Sequence, residues 1–99
     1  MVQIPWPPEF DWDEGNRDKN RLKQGISCEE CEQVFVDPFL RILPDPGHSA
    51  IEERYLAFGK NFSGRELLVG FTMRSVKIRP ISVRRANERE SEKYGRTNS

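Results

Sequence analysis

Between Arg54 and Arg84 the chain repeats with a period of two, and side chains that alternate at every second position fit extended strands and nothing else. Three runs carry the pattern, over residues 54–60, 65–74 and 77–84. Asn61-Phe62-Ser63-Gly64, between the first two, is a hairpin turn signal. The simplest topology is an antiparallel meander. The alternation sorts its side chains into two faces. Leu56, Phe58, Leu67, Val69, Phe71, Met73, Ile81 and Val83 form the expected core side. Tyr55, Ala57, Glu66, Thr72, Arg74, Ser82 and Arg84 form the other, so polar that it must be wet or bind something. Pro80 lies inside the third run, so its missing N–H must point away from a ladder partner or sit at a bulge.

Helical signals flank the strands. Ser27 and Glu30 have the spacing of a capping box, and Cys28, Cys31, Val34 and Phe35 recur at helical spacing until Asp37-Pro38 ends the run. An earlier helix is expected over residues 14–24, with Asp13 as N-cap and Gly25 just past its end, although Leu22 is its one good apolar residue. Ahead of it, Ile4-Pro5-Trp6-Pro7-Pro8 makes residues 1–9 an extended lead-in, followed by a short strand near residues 10–12. Residues 39–50, rich in Pro, Asp and Gly, read as a loop. Asn87 and Glu90 repeat the capping spacing, which predicts a short, highly charged helix over 88–94 before a frayed tail at 96–99. The expected fold is α+β: a short N-terminal strand, two helices on an antiparallel meander and a short C-terminal helix. With 99 residues there is room for one core, so residues 10–95 read as a single domain.

The formal net charge of zero hides two opposed halves. Residues 1–53 hold five Lys and Arg against twelve Asp and Glu, a balance of −7, and residues 54–99 hold eleven against four, a balance of +7. A basic half of this kind attracts polyanions, above all the phosphates of nucleic acid. No stretch has the eighteen or more apolar residues of a membrane span, and MVQIPWPPEF lacks the order of a secretory signal, so a cytoplasmic protein is expected. Cys28 and Cys31 sit three apart, which is no disulfide framework. A zinc site needs about four ligands, whereas the chain offers these two thiols and one imidazole, so both cysteines read as core and no metal site is expected.

Four arginines lie on or beside strands, where side chains are held firmly: Arg65, Arg74, Arg79 and Arg84. Guanidinium presents a planar fork that matches phosphate oxygens, so a cluster could bind RNA and stabilise a charged phosphorane. Taken one at a time, each is more readily a salt-bridge partner of the acidic first half. Arg79 is the weakest member, because its parity places it beside Ile81 on the core side. His48 is the one histidine; with an ordinary pKa of about 6.5 it could act as acid or base, or merely cap its loop. Glu52 and Glu53 are the carboxylates nearest to it in sequence that could orient it or act as bases themselves. The run 88–93 is either a solvated helix or a docking surface.

The stretches FDWDEGNRDKNRLKQGIS, CEECEQVFVDP, HSAIEERYLAFGK, GRELLVGFT with Arg74 following, and IRPISVRRANERESEKY resemble, in order and spacing, the BrnT toxins of bacterial type II toxin–antitoxin systems. The resemblance covers nearly everything from Phe10 to Tyr94. It implies a RelE-like ribonuclease fold and a metal-independent endoribonuclease without cofactor that arrests translation. A BrnA-like ribbon-helix-helix antitoxin would neutralise it, and the complex would reach operator DNA through that antitoxin. Carried over by position, the family's active surface falls on Lys23, His48, Glu53, Arg65, Thr72, Arg74 and Arg84. Two positions depart from the pattern: Gln24 stands where relatives often carry histidine, and Pro80 replaces an aliphatic residue. Cleavage of this kind uses the substrate's own 2′-hydroxyl to attack the adjacent phosphate, and needs a base, an acid and cations. Arg65, Arg74 and Arg84 would supply the cations, Lys23, Thr72 and Arg79 would contact RNA, and Glu53 or His48 would be the base. The competing reading is a non-catalytic module that holds an acidic partner or nucleic acid.

Overall fold

A computed structural model describes residues 2–12, 25–48 and 52–95, His48 by its backbone alone. The helix expected over 14–24, with Asp13 and Lys23, and the tail at 96–99 lie outside the described residues. Among those described, the order is helix α1 (Cys28–Val34), strand β1 (Arg41–Pro44), a 3-10 turn (Pro46–His48), strands β2 (Tyr55–Lys60), β3 (Glu66–Arg74) and β4 (Lys77–Arg85), and helix α2 (Glu88–Glu90), which continues as a π turn (Ser91–Gly95). The strands form one sheet in the order β1-β2-β3-β4, every neighbour antiparallel. No helix among these residues is long and apolar enough to cross a membrane.

Both capping boxes form as the spacing requires. In α1 the Glu30 N–H donates to Ser27 Oγ at 3.1 Å while the Ser27 N–H donates to Glu30 Oε1 at 3.2 Å. In α2, Asn87 and Glu90 do the same at 2.8 and 2.9 Å. The end of α1 tightens before Pro38, with Phe35, Val36 and Asp37 each donating to the carbonyl three residues back. The expected N-terminal strand reduces to one parallel bridge between Phe10 and Ile78. The lead-in is nonetheless packed, with Val2 and Ile4 against the core.

Three expectations about the sheet are overturned. The loop expected at 39–50 contains β1, which pairs Arg41 to Pro44 with Phe58 to Tyr55. Leu40-Arg41-Ile42-Leu43 is too short between prolines to display a period; the ladder of β2 makes it a strand, and Pro44 is tolerated because β1 is an edge. The second correction concerns faces. The loop at 61–65 sets Tyr55 opposite Phe71 and Ala57 opposite Val69, so Tyr55 and Ala57 lie on the core side under α1, and Leu56 and Phe58 move to the far side with Gly70 and Leu68. Both parities of β2 and β3 are apolar, so pattern alone could not choose; the turn length did. Third, a bulge at Gly70/Phe71 puts Pro80 opposite Phe71 and Ser82 opposite Gly70, leaving Ile81 without a partner. Ile78 and Pro80, not Ile81, therefore join Val83 on the core side, and Arg79 faces the far side opposite Thr72. Pro80 sits at the irregularity its missing donor demands. The approach is close, since a Cβ on Gly70 would lie 2.7 Å from Ser82 Oγ.

The core side packs Ile26, Cys31, Val34 and Phe35 against Ala57, Leu67, Val69, Phe71, Ile78 and Val83. The far side is partly apolar too, because the ring of Tyr94 lies 5.6 Å from that of Phe58. Leu67, Leu68 and Val69 are consequently all buried, and β3 is covered on both faces.

Polar side chains of α1 and of the turn that follows it fix the helix to the β2–β3 hairpin. Glu30 Oε2 accepts from Asn61 Nδ2 at 2.8 Å, Gln33 Oε1 from the Phe62 N–H at 2.8 Å, and Asp37 Oδ2 from the Lys60 N–H at 2.7 Å. Asn61 is itself buried, and its Oδ1 accepts from the N–H groups of Ser63 and Arg65. Helix and strand meet at Gly59, where a Cβ would stand 3.0 Å from Val34 Cγ1 and 3.1 Å from the Val34 carbonyl. Glu30→Ala removes a cap and strands a buried amide, so it should cost about 2 kcal/mol, a Tm lower by roughly 10 °C, while Glu29→Ala on the same turn should change stability by less than about 0.5 kcal/mol. Thermal unfolding of the two variants checks this. Gly59→Ala should likewise cost about 1–3 kcal/mol through overpacking, read from denaturant midpoints.

Candidate active site

The far face of the sheet carries Thr72 and Arg74 from β3, and Lys77, Arg79, Ser82 and Arg84 from β4. These residues do not form one cluster. Arg84 stands opposite Leu68, six residues along β3 from Arg74, which is roughly 20 Å at the rise of a strand. One group therefore gathers at the end where β2 begins, and a second at the hairpin end.

At the first end, Arg74 Nη2 pairs with Glu52 Oε1 at 3.0 Å. Thr72 is buried and its hydroxyl donates to the Glu53 carbonyl at 2.8 Å, so it pins the entering chain to β3 instead of facing solvent. The exposed Glu53 carboxylate accepts from the Tyr55 hydroxyl at 2.5 Å. That hydrogen bond is the main cause that raises the Tyr55 phenol above its ordinary value, with burial and the Glu53 charge adding to it. The Tyr55 ring is seated against Phe71 at 5.5 Å. Glu53 and Tyr55 border a cleft of about 480 Å³, completed by Val2, Ile42, Leu43 and Pro44. The 3-10 turn carrying the His48 backbone leaves β1 at this same end. Arg79 reaches across to Asp11 at 3.1 Å. Its Nε is buried without a hydrogen-bond partner among the described residues.

At the hairpin end, Arg84 meets Glu90 of α2 in a fork, Nη1 to Oε1 at 2.8 Å and Nη2 to Oε2 at 2.7 Å. Arg65 is exposed on the turn, its backbone N–H bonded to Asn61 Oδ1 at 2.9 Å, and no carboxylate pairs with it among the described residues. The sequence puts Arg74 and Arg84 on one polar face with Arg65 at a hairpin end, but does not reveal the length of strand that parts Arg74 from Arg84. Period groups Tyr55 with the polar face but does not mark it as a site residue, because its contact with Glu53 depends on how the chain enters β2. The Glu90 spacing was legible as a cap, whereas its grip on Arg84 depends on how α2 turns back onto the sheet. Arg74 and Arg79 do pair with carboxylates of the acidic half, as expected of arginines taken singly, but Arg84 takes its partner from the basic half.

Both cysteines are free and buried. Burial first, then the nearby Cys28 and Glu32, push the Cys31 thiol far above its ordinary value, so it is core and not a nucleophile. Among the described residues no group of three or more His, Cys, Asp or Glu side chains is placed to hold a metal ion.

The hydrogen bonds from Arg84 hold the Glu90 carboxyl below its ordinary value of 4.5, and the same fork raises the Arg84 guanidinium. A depressed carboxylate stabilises the fold above its unfolded value and loses that contribution as pH falls through the folded one. Glu90→Gln should therefore melt below the parent at pH 7, and the difference should shrink as the pH falls below 4.5 through the folded value, when followed by circular dichroism.

Comparison with known proteins bears on what this arrangement is. The family model described as the ribonuclease toxin BrnT of type II toxin–antitoxin systems matches residues 12–90. No curated protein sequence matches significantly. Among solved structures, the 1.1 Å crystal structure of the Brucella abortus ribonuclease toxin BrnT aligns with a TM-score of 0.62 at 21% identity, covering 82% of this chain and 99% of that one. At that identity the likeness speaks for the fold, and it supports the α+β architecture of a four-stranded antiparallel sheet with helices. The family model spans most of the sequence, and on that ground the chain belongs to the BrnT family, the ribonuclease toxins of type II toxin–antitoxin systems.

Proposed function

We propose that the protein is a metal-independent endoribonuclease of the RelE-like type, which cuts RNA in the cytoplasm, inhibits translation and growth, and is neutralised by a cognate antitoxin of the BrnA-like ribbon-helix-helix kind. The complex would reach operator DNA through that antitoxin. The observation that carries the reading is the row of Arg74, Arg79 and Arg84 on one face of a sheet whose central strand is buried on both sides. A cationic row on a rigid support can hold a strand of RNA without reorganising during the reaction.

The reacting phosphate belongs at the end where β2 begins. There the 2′-oxygen of the substrate attacks phosphorus and gives its proton to Glu53. Arg74 leaves Glu52 to neutralise the charge on the pentacoordinate phosphate, and the 5′-oxygen departs with a proton from His48. The products are a 2′,3′-cyclic phosphate and a free 5′-hydroxyl. Giving up Glu52 costs little, since an exposed ion pair is worth about 0.2–1 kcal/mol and a charge-assisted phosphate contact about 1.5–3 kcal/mol. Arg84, roughly 20 Å away by strand rise, and Arg65 beyond it at the turn hold phosphates further along the strand. Lys23 and Arg79 add contacts, and Thr72 acts through the chain it anchors.

Two roles for arginine give two signatures. Arg74→Ala should lower the single-turnover cleavage rate by roughly 100-fold with little change in RNA affinity. Arg84→Ala should leave the saturated rate near that of the parent, weaken RNA binding and reduce the slope of log affinity against log salt by about one. The chemistry is read from RNA incubated with the protein in EDTA: cyclic-phosphate ends are expected, and a shift of RNA without cleavage, on naked RNA and on ribosome-bound message alike, would leave only the binding-module reading. Growth arrest on induction, relieved by co-expression of the neighbouring antitoxin gene, tests the cellular role.

A further inference from the structure

We propose that Tyr55 is a positioning residue for the Glu53 carboxylate, holding Oε2 through its phenol so that Oε1 is presented at the mouth of the cleft. The inference rests on the reading of Glu53 as the base and adds a residue to it. Three contacts make the phenol a fixed point. Its ring is seated on Phe71, 5.5 Å between centroids and tilted by 32°. Its backbone stands in the ladder opposite Phe71 on one side and Pro44 on the other. Its hydroxyl meets Glu53 at 2.5 Å, the length of a charge-assisted bond. The Glu53 backbone is fixed independently by Thr72 Oγ1 on its carbonyl at 2.8 Å. An exposed glutamate ahead of a strand would ordinarily sample several rotamers. Here both ends of the residue are tethered to the sheet, the carbonyl by Thr72 of β3 and the carboxylate by Tyr55 of β2.

Among the described residues, the Tyr55 hydroxyl is the donor placed on Glu53 Oε2. Glu52 is engaged by Arg74 at 3.0 Å on the far face. Arg54 accepts at its carbonyl from the Asp45 N–H at 3.0 Å, which ties the segment to the chain leaving β1. The other cleft residues, Val2, Ile42, Leu43 and Pro44, are apolar. A base must be oriented as well as basic, and a carboxylate turned away from the 2′-hydroxyl loses rate without losing affinity.

Tyr55→Phe keeps the ring on Phe71 and removes the hydroxyl alone. It should lower kcat for RNA cleavage about tenfold while KM and Tm stay those of the parent. The decisive measurement is a double-mutant cycle with Glu53→Gln. If Tyr55 acts through Glu53, adding Tyr55→Phe to Glu53→Gln should cause no further loss of single-turnover rate. An equal loss in both backgrounds, or a Tyr55→Phe enzyme with unchanged kcat while Glu53→Gln is impaired, overturns the inference and leaves Glu53 as base. Parental cleavage by Glu53→Gln overturns the assignment of the base, and the inference with it.

Discussion

Everything on the sheet depends on how helix α1 is fastened to the β2–β3 hairpin. One carboxylate, Glu30, closes the capping box of its own helix with Oε1 and holds the Asn61 amide with Oε2. Asn61 in turn organises the turn through two backbone N–H groups. The turn sets the register of β2 on β3, and the register decides which parity of each strand is buried. A local helix cap is thereby coupled to the choice of which residues face the candidate active site. Gly59 is the complement of this fastening, since the end of α1 comes too near the strand for a side chain there.

With that register, β3 becomes a buried strand of the sheet, packed under α1 on one face, while on the other Phe58 and Leu68 are buried and Tyr94 meets Phe58. The bulge at Gly70/Phe71 then decides which residues of β4 share a face. By absorbing Ile81 it returns Arg79 to the face that carries Arg74 and Arg84, and it gives Pro80 a place without a ladder donor. The far face is accordingly mixed: its middle is apolar and held, and its cations stand at the two ends.

At rest three of these cations are paired within the chain, Arg74 with Glu52, Arg79 with Asp11 and Arg84 with Glu90. Pairs of this exposure are weak, so breaking any one of them costs little. The acidic half of the chain thus contributes at the site itself, not only as a counterweight to the basic half. In this BrnT-family chain the polar network of Glu53 with Tyr55 and Thr72 stands where the chain enters β2.

The sequence by itself determined the local elements. The Ser27/Glu30 and Asn87/Glu90 boxes, the two-residue period after Arg54, the Asn61 to Gly64 turn, the need for a bulge at Pro80 and the burial of Cys28 and Cys31 are all present because each rests on neighbours within a few residues. The family pattern was legible as well, because its stretches are read in order along the chain. What only the tertiary structure decided were the relations among these elements. Strand β1 exists because β2 offers it a ladder, and the face of every β2 residue follows from a turn length that apolar residues of both parities could not reveal. The division of Arg74 from Arg84 is a distance along a strand, and the contacts of Tyr55 with Glu53 and of Arg84 with Glu90 depend on where chains re-enter the sheet. Periodicity records which side chains share a face of one element, whereas a site is made by which faces meet, and that is settled by packing.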